Sequence, residues 1–333
     1  MDVEGFGTFN MGYKMQYVLI AIAAASVIAM AFFVISFFEK KRLTCPIYRV
    51  NDPRIPAAFS GKRIVFLSDL HSCVFGDRNK ELYNAIDRAC PDLVLIGGDM
   101  MVVKSWSKMD FAVTKDLLSY LSGRYPVYYA PGNHEQRMKE APKEYPEWFD
   151  TFQKMLKEYH VPYLENQTLR LTLDADGKIR TDERSAEVSE DKKGILLSGL
   201  ALDMRYYKKL LMHKKERFGS DDLRTLLPQV NDEKHFHIVL AHNPLYVPTY
   251  AESRAALFLS GHMHGGCVRL PFIGATISPQ LEIFPRYAKG YKRVKDAHVV
   301  VSAGLGTHSI NLRVNNPPEM VIIELENTVR ETQ

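Results

Sequence analysis

Five short segments place aspartate, asparagine or histidine directly after an apolar run. They are SDLH with Asp69 and His71, GGDM with Asp99, PGNHE with Asn133 and His134, AHNP with His242, and SGHMHGG with His262 and His264. Taken singly each is a weak signal, because an aspartate after a strand commonly serves as a turn or cap residue. Taken together they describe several strands that each end in a metal-capable side chain. Residues two apart in an extended segment point to one side, so Asp69 with His71, and His262 with His264, are expected to converge while Leu70 and Met263 turn away. Carboxylate, imidazole and amide oxygen together suit first-row divalent metals; an all-oxygen set would suggest calcium or magnesium, and thiolates structural zinc. The ligands exceed what one tetrahedral ion takes, so the economical reading is two divalent ions sharing a carboxylate. Such a pair clamps a phosphoryl group and lowers the pKa of water.

The set and order D-x-H, GD, GNHE, H and GH-x-H resembles the calcineurin-like metallophosphoesterase family from Ile64 to the C-terminus. The tail GHMHGGCVRLPFIG, with GLGT at Gly304–Thr307, resembles that family's membrane-associated or exported bacterial branch. The resemblance implies a two-sheet β-sandwich flanked by helices. It assigns Asp69, His71 and His264 to one metal, Asn133, His242 and His262 to the other, and Asp99 to both. His134 matches the motif histidine that is not a ligand and would bond the phosphate or protonate the leaving oxygen, with Asn133 also positioning phosphate. The implied cofactors are two ions of manganese, iron or zinc. Met263 and Cys267 depart from the branch, which commonly has a small polar residue and a glutamine there; neither is an implied ligand.

The elements that must carry these residues read as alternating strands and helices. Ile64 to Ser68, Leu93 to Gly97 and Pro126 to Ala130 are expected strands, separated by helices over Arg78 to Ala89 and Phe111 to Leu121. Later apolar runs at Leu169 to Leu173, Gly194 to Leu200, His237 to Ala241, Ala256 to Gly261, His298 to Gly304 and Met320 to Leu325 have fewer helices between them. The expected class is therefore α/β, with two packed sheets and helices outside. Asp174 to Lys193 reads as an exposed loop or hairpin tip, and Met204 to Val230 as a basic helical cap or lip.

Tyr17 to Phe38 is 22 residues without a charge. A helix of that length matches the roughly 30 Å hydrocarbon core of a bilayer. A cleaved signal peptide would have a shorter apolar stretch and a small-x-small site; here bulky Phe32, Phe33, Phe37 and Phe38 fill the end. The reading is a retained single-pass anchor. Lys14 precedes it, and Lys40, Lys41 and Arg42 follow it, which places the C-terminal part on the cytoplasmic side. Residues 1–42 are thus expected to form an anchor segment with its span at about 17–38, and 43–333 a metallophosphoesterase domain.

Composition bounds the rest. A chain of 333 residues, 46% hydrophobic and 25% charged, is neither collagenous nor wholly disordered. A net charge of +4 does not suggest a nucleic-acid binder, and none is expected as a partner. Cys45, Cys73, Cys90 and Cys267 are isolated, with no C-x-x-C pair, and fit a reducing compartment. His160, His213, His235, His237 and His298 are taken as surface or core residues, whereas His308 beside the GLGT turn is a further candidate for the site. The basic cluster from Arg205 to Arg217 is either a solvated face or a contact for anionic headgroups or a phosphorylated substrate.

The expected activity is phosphoester hydrolysis on a lipid-linked or envelope substrate, by a membrane-anchored enzyme. Relatives by motif include a bacterial pyrophosphatase that cleaves UDP-diacylglucosamine in lipid A synthesis, which makes that reaction the first alternative. A membrane-tethered binding protein with a structural metal site is the second.

Overall fold

A computed structural model gives the architecture and describes residues 5–105, 108–182, 194–307 and 311–328, with side chains from Met15 onward. A long helix, α1 (Gly5–Glu39), comes first. The strands, in chain order, are β1 (Ile47–Asn51), β2 (Arg63–Leu67), β3 (Leu93–Ile96), β4 (Val127–Tyr129), β5 (Gln167–Leu173), β6 (Ile179–Thr181), β7 (Ile195–Leu200), β8 (His237–Ala241), β9 (Leu257–Ser260), β10 (Arg269–Leu270), β11 (Gly274–Ala275), β12 (Gly290–Val294), β13 (Ala297–Val301) and β14 (Val321–Glu326). Helices α2 (Lys80–Ala89), α3 (Ala112–Ser122), α4 (Asn133–Glu140), α5 (Trp148–Glu158), α6 (Ser220–Leu226) and α7 (Val247–Tyr250) connect them.

Two large sheets result. One runs β1-β14-β2-β3-β4, the other β12-β13-β9-β8-β7-β5-β6, and β10 pairs with β11 in a small hairpin. Strands β2, β3 and β4 are mutually parallel, as are β7, β8 and β9. Each set therefore delivers its C-terminal ends to one edge of its sheet, the place where such sheets gather ligands.

The apolar runs are continuous because both faces of these strands are covered. Ile64, Phe66, Leu93 and Leu95 face inward and meet Leu197, Ile238, Leu240, Leu257 and Leu259 of the second sheet. Their neighbours Val65, Leu67, Val94 and Ile96 face outward, under Leu82, Ile86, Leu117, Leu121 and Phe152 of the helices. On the far side Val239, Phe258 and Val299 pack under Leu223, Val247 and Tyr250. The layers are helix, sheet, sheet, helix: a mixed α/β sandwich of the expected class.

One local expectation changes. The stretch 208–219 is not helical: a single 3-10 turn at Met204–Tyr207 gives way to extended backbone at Lys208, and helix returns only at α6. Exposed Leu211 and Met212 lie among its lysines, so no one helical face would collect its apolar residues. Asp174 to Lys178 forms the turn of the β5–β6 hairpin, while 183–193 and His308 lie outside the described residues. Helices α4 and α5, and edge strands β1, β6 and β12, were not anticipated from the sequence.

Within α1, the stretch Met15–Glu39 has the length and composition to cross a bilayer, and also those of a signal sequence. Its C-terminal end touches the sandwich. The Arg313 N–H donates to Ser36 Oγ at 2.9 Å, and the Asn316 N–H to Glu39 Oε2 at 2.7 Å.

Phe66 is fully buried between the sheets. Replacing Phe66 with alanine leaves a cavity there and should cost about 3–5 kcal/mol of stability. Urea unfolding of the purified chain measures it, and a loss under about 1 kcal/mol would mean that the sheets do not close on this ring.

Candidate metal centre

The structure gathers Asp69, His71, Asp99, Asn133, His134, His242, His262 and His264 at the shared edge, all buried. Asp69 and His71 follow β2, Asp99 follows β3, Asn133 and His134 open α4 after β4, His242 follows β8, and His262 and His264 follow β9. Two contacts bind the sheets together there. The His262 N–H donates to the Asp69 carboxylate at 3.0 Å, and His242 Nδ1 lies 2.6 Å from the Gly97 carbonyl.

The backbone reaches this arrangement differently from the expected extended alternation. Asp69 (φ 53°), His71 (47°), Asp99 (56°), His262 (65°) and His264 (47°) all occupy the left-handed region, which is costly for residues other than glycine. The side chains converge through tight left-handed turns. The intervening residues do turn away, Leu70 into the helix-side core of the first sheet and Met263 into that of the second. At Gly132 a Cβ atom would stand 2.3 Å from Asp99 Oδ1, so only glycine lets α4 begin this close to the carboxylate.

Three sets of side chains each bring their ligand atoms within 4.8 Å of one another: Asp69, His71 and His264; Asp99, His242 and His262; and His71, Asp99 and His134. Asp99 faces both sides of the cluster, its Oδ2 lying 3.2 Å from His242 Nε2 and 3.9 Å from His71 Nε2. Asp69 Oδ1 lies 3.5 Å from His264 Nε2 and 3.8 Å from both His71 and His242.

The outer nitrogen of each ring decides what its inner nitrogen can do. A carbonyl only accepts, so a ring nitrogen bonded to one must carry the proton. His242 Nδ1 faces Gly97 O, His264 Nδ1 faces Gly306 O at 3.0 Å, and His71 Nδ1 faces Met101 O at 3.4 Å. Their Nε2 atoms then point inward. Those of His71 and His264 stand 3.1 Å apart, and that of His242 confronts the Asp99 carboxylate without hydrogen-bond alignment. Asp99 Oδ2, Asn133 Oδ1 and His242 Nε2 are buried and make no hydrogen bond. Groups crowded in this way need a cation among them, a proton such as that on His242 or a metal ion, and the donor set of oxygen and imidazole nitrogen fits a divalent first-row metal.

His134 is the exception. The Val103 N–H donates to its Nδ1 at 2.7 Å, so the neutral ring carries its proton on Nε2. It presents a donor to the cluster where the other three turn Nε2 toward a place a cation can take. Proximity alone groups it with His71 and Asp99, but its tautomer argues against metal ligation.

Charge follows the same logic. Burial works against an ionised His242, yet Asp99 and Asp69 beside it outweigh burial and push it up to about 9. Burial opposes ionisation of Asp99 too, and above all the His242 charge beside it overcomes burial and holds the carboxyl well below its usual range. Asp69, where burial prevails, rises to about 6.

Sequence reasoning passed over several supporting residues. Glu135 is fully buried and accepts from the N–H groups of Asp99 and Gly132, both at 2.9 Å, and from the Tyr129 hydroxyl at 2.6 Å. Its place in PGNHE, opening a helix, was the available signal. Tyr207 stands with its ring edge-on to His262, centroids 5.0 Å apart, and no sequence signal marked it. Arg313 is buried and donates to the carbonyls of Ala303, Gly304 and Gly306, which seats the carbonyl that fixes His264. Cys267 is a packed thiol that burial pushes up to about 11, and neither it nor Cys73 belongs to a metal-capable group among the described residues.

The model of the family described as calcineurin-like phosphoesterase matches residues 62–266, a stretch that holds all eight of these side chains. The chain belongs to that family. Its members hydrolyse phosphoric esters with divalent metals. The chain is 25% identical to the phosphodiesterase YaeI of Escherichia coli over 79% of this chain and 82% of that protein. It is 27% identical to the metallophosphoesterase Cj0846 of Campylobacter jejuni over 96% of this chain and 72% of that one. The metallophosphoesterase YkuE of Bacillus subtilis is 33% identical over 33% of this chain and 37% of its own.

A cation entering this cluster must displace the proton that His242 otherwise holds up to about pH 9. Because that pKa is raised, the proton is present below it and competes, and competition fades as pH rises through it. Manganese or zinc affinity of the metal-stripped protein should therefore climb by up to about tenfold per pH unit between roughly pH 7 and 9, with proton release on binding. Calorimetry in buffers of different ionisation heat measures both. A pH-independent affinity would mean that the metal does not meet the His242 nitrogen.

Proposed function

We propose that this phosphoesterase is a membrane-anchored, two-metal hydrolase of phosphodiesters, and that its substrate is lipid-linked or belongs to the cell envelope. The crowding of the inward-facing Nε2 atoms of His71, His264 and His242 against Asp69 and Asp99 carries the metal reading. Asp69, His71 and His264 would hold one ion, and Asn133, His242 and His262 the other, with Asp99 shared; manganese, iron and zinc all suit these donors. Bound ions would supply Lewis acidity to the phosphoryl oxygens and make water a stronger nucleophile.

The chain's own residues supply the rest. His134 holds a proton on Nε2, where it can bond a phosphate oxygen as negative charge grows and pass that proton to the departing oxygen. Its orientation is fixed at both ends, by the Val103 N–H on Nδ1 and by its own N–H on Asp99 Oδ1 at 2.8 Å. Asn133 opens the same helix, where its amide would help position the phosphate. The name phosphodiesterase carried by the Escherichia coli relative supports a diester over a monoester.

Anchoring rests on α1. Large apolar side chains along it, such as Val27 and Phe33, stand 69% and 67% exposed, a surface suited to lipid. We read it as a retained span, residues 1–42 as the anchor segment and 43–333 as the catalytic domain. The bases Lys40, Lys41 and Arg42 after the span favour a cytoplasmic domain.

Two experiments test these readings. With bis(4-nitrophenyl) phosphate and added manganese, His134→Ala should lower kcat by about a hundredfold or more while bound metal is unchanged. Asp99→Asn should lose both metal and turnover. Wild-type turnover in a chelator, or full turnover by either variant, would refute the assignment. Separately, protease added to intact cells should leave the domain whole and cut it only after lysis; cleavage in intact cells would reverse the orientation.

A further inference from the structure

Among the described residues outside α1, seven large apolar side chains stand more than half exposed; one is Ile47 in β1, and the other six lie in three loops: Leu211 and Met212, Phe272 and Ile273, and Ile283 and Phe284. The Phe272 ring is wholly in the open. Scattered single residues of this kind need no explanation, but a contiguous group marks a contact surface.

These loops are contiguous. The segment that clasps the end of α1, from Arg313 to Asn316, is the starting point. The Arg269 N–H donates to Val314 O, which ties the β10–β11 hairpin and its tip at Phe272 to that segment. The Thr276 N–H donates to Val268 O and the Phe284 N–H to Thr276 O, which adds the second loop. The Leu210 N–H donates to Gln280 O, which adds the third. That third loop begins immediately after Tyr207, whose ring stands against His262. One rim thus runs from the end of α1, past three apolar tips, to the wall of the metal cluster.

The position of the clasp says what covers this rim. Ser36 lies inside the uncharged stretch of α1, not beyond it, and is itself buried against the domain. With α1 spanning a bilayer, the backbone of Arg313 that bonds Ser36 stands at the hydrocarbon boundary; the β10–β11 hairpin, bonded to Val314 next in the chain, is held close to it, and the other two loops are joined to that hairpin in turn. Exposed Lys209 and Lys214 flank Leu211 and Met212. Apolar tips between lysines are the pattern of segments that seat in an acyl-headgroup boundary with their charges at anionic phosphates.

We propose that these three loops form a second membrane contact, seated in the headgroup layer beside α1, so that the metal cluster opens along the bilayer surface and draws amphiphilic phosphoesters from it. The proposal rests on the reading of α1 as a span, and it adds a surface that the span alone does not require.

The test uses the full chain in vesicles of phosphatidylcholine and phosphatidylglycerol, with and without lipids brominated near the top of the acyl chains. Tryptophan is introduced by Met212→Trp, by Phe272→Trp and, as control, by Arg124→Trp, which sits just before β4 at the opposite edge of the sheet. Emission added by each variant is taken over the parent chain, and hydrolysis of bis(4-nitrophenyl) phosphate shows that each variant is folded. Added emission at 212 and 272 should fall by about half with brominated lipid, as expected for side chains seated some 5–10 Å into the boundary, and emission at 124 should not change. Release of the parent chain by alkaline carbonate would overturn the span and this contact with it. Retention of the parent with no quenching at 212 and 272 would overturn the contact alone, as would cross-linking of those positions between two copies of the chain in place of quenching.

Discussion

Two carboxylates buried at one edge of the sandwich set the conditions for everything around them. Asp69 and Asp99 share a pocket from which water is largely excluded, and like charges at that depth demand a positive partner. A third carboxylate, Glu135, is equally buried but is answered by backbone N–H groups and the Tyr129 hydroxyl. Asp99 is treated differently. Its Oδ1 takes the His134 N–H, and its Oδ2 is kept without a hydrogen bond and turned toward His242 and His71. One carboxylate is spent on holding the backbone in place so that another can keep an oxygen for a cation.

Holding that pattern requires strain, and the layered core is what sustains it. Each left-handed non-glycine residue costs on the order of 1–3 kcal/mol, and five of the ligand-type residues adopt that conformation. Leu70 and Met263 act as fixings between them, one buried on each outer face of the sandwich. With the intervening side chain packed into a core, the flanking aspartate or histidine has little freedom left. The two sheets therefore do more than bring their edges together; each anchors its own half of the cluster.

Much of this was legible in the sequence because strand ends and chemistry coincide there. The apolar runs before Asp69, Asp99, His242 and His262 fixed both the strands and the direction in which they deliver those residues. What the sequence could not show is how the turns close. A D-x-H spacing looks the same whether Asp69 and His71 sit on extended backbone or on left-handed turns, and only tertiary packing chooses. The tautomers were equally hidden. His134 and His242 are the same residue type after similar strands, and their roles part only because one ring meets the Val103 N–H and the other the Gly97 carbonyl. The 208–219 stretch misled because lysine and leucine favour helix, while its apolar residues fall together at one tip and not along a face.

The last link concerns α1. The segment that grips α1 through Ser36 and Glu39 also supports the candidate metal centre. Asn316 donates its side-chain amide to the His264 carbonyl at 2.6 Å, while its own backbone N–H bonds Glu39. Arg313 gives its backbone N–H to Ser36 and its guanidinium to Gly306 O, the carbonyl that orients the His264 ring. Burial draws that guanidinium down to about 10, and the nearby Asp69 and Glu319 charges resist the fall, so it remains charged at neutral pH. A flexible tether would leave the cluster indifferent to the helix. Here two residues bond both, so the angle at which α1 leaves the domain and the seating of His264 are set by the same few hydrogen bonds.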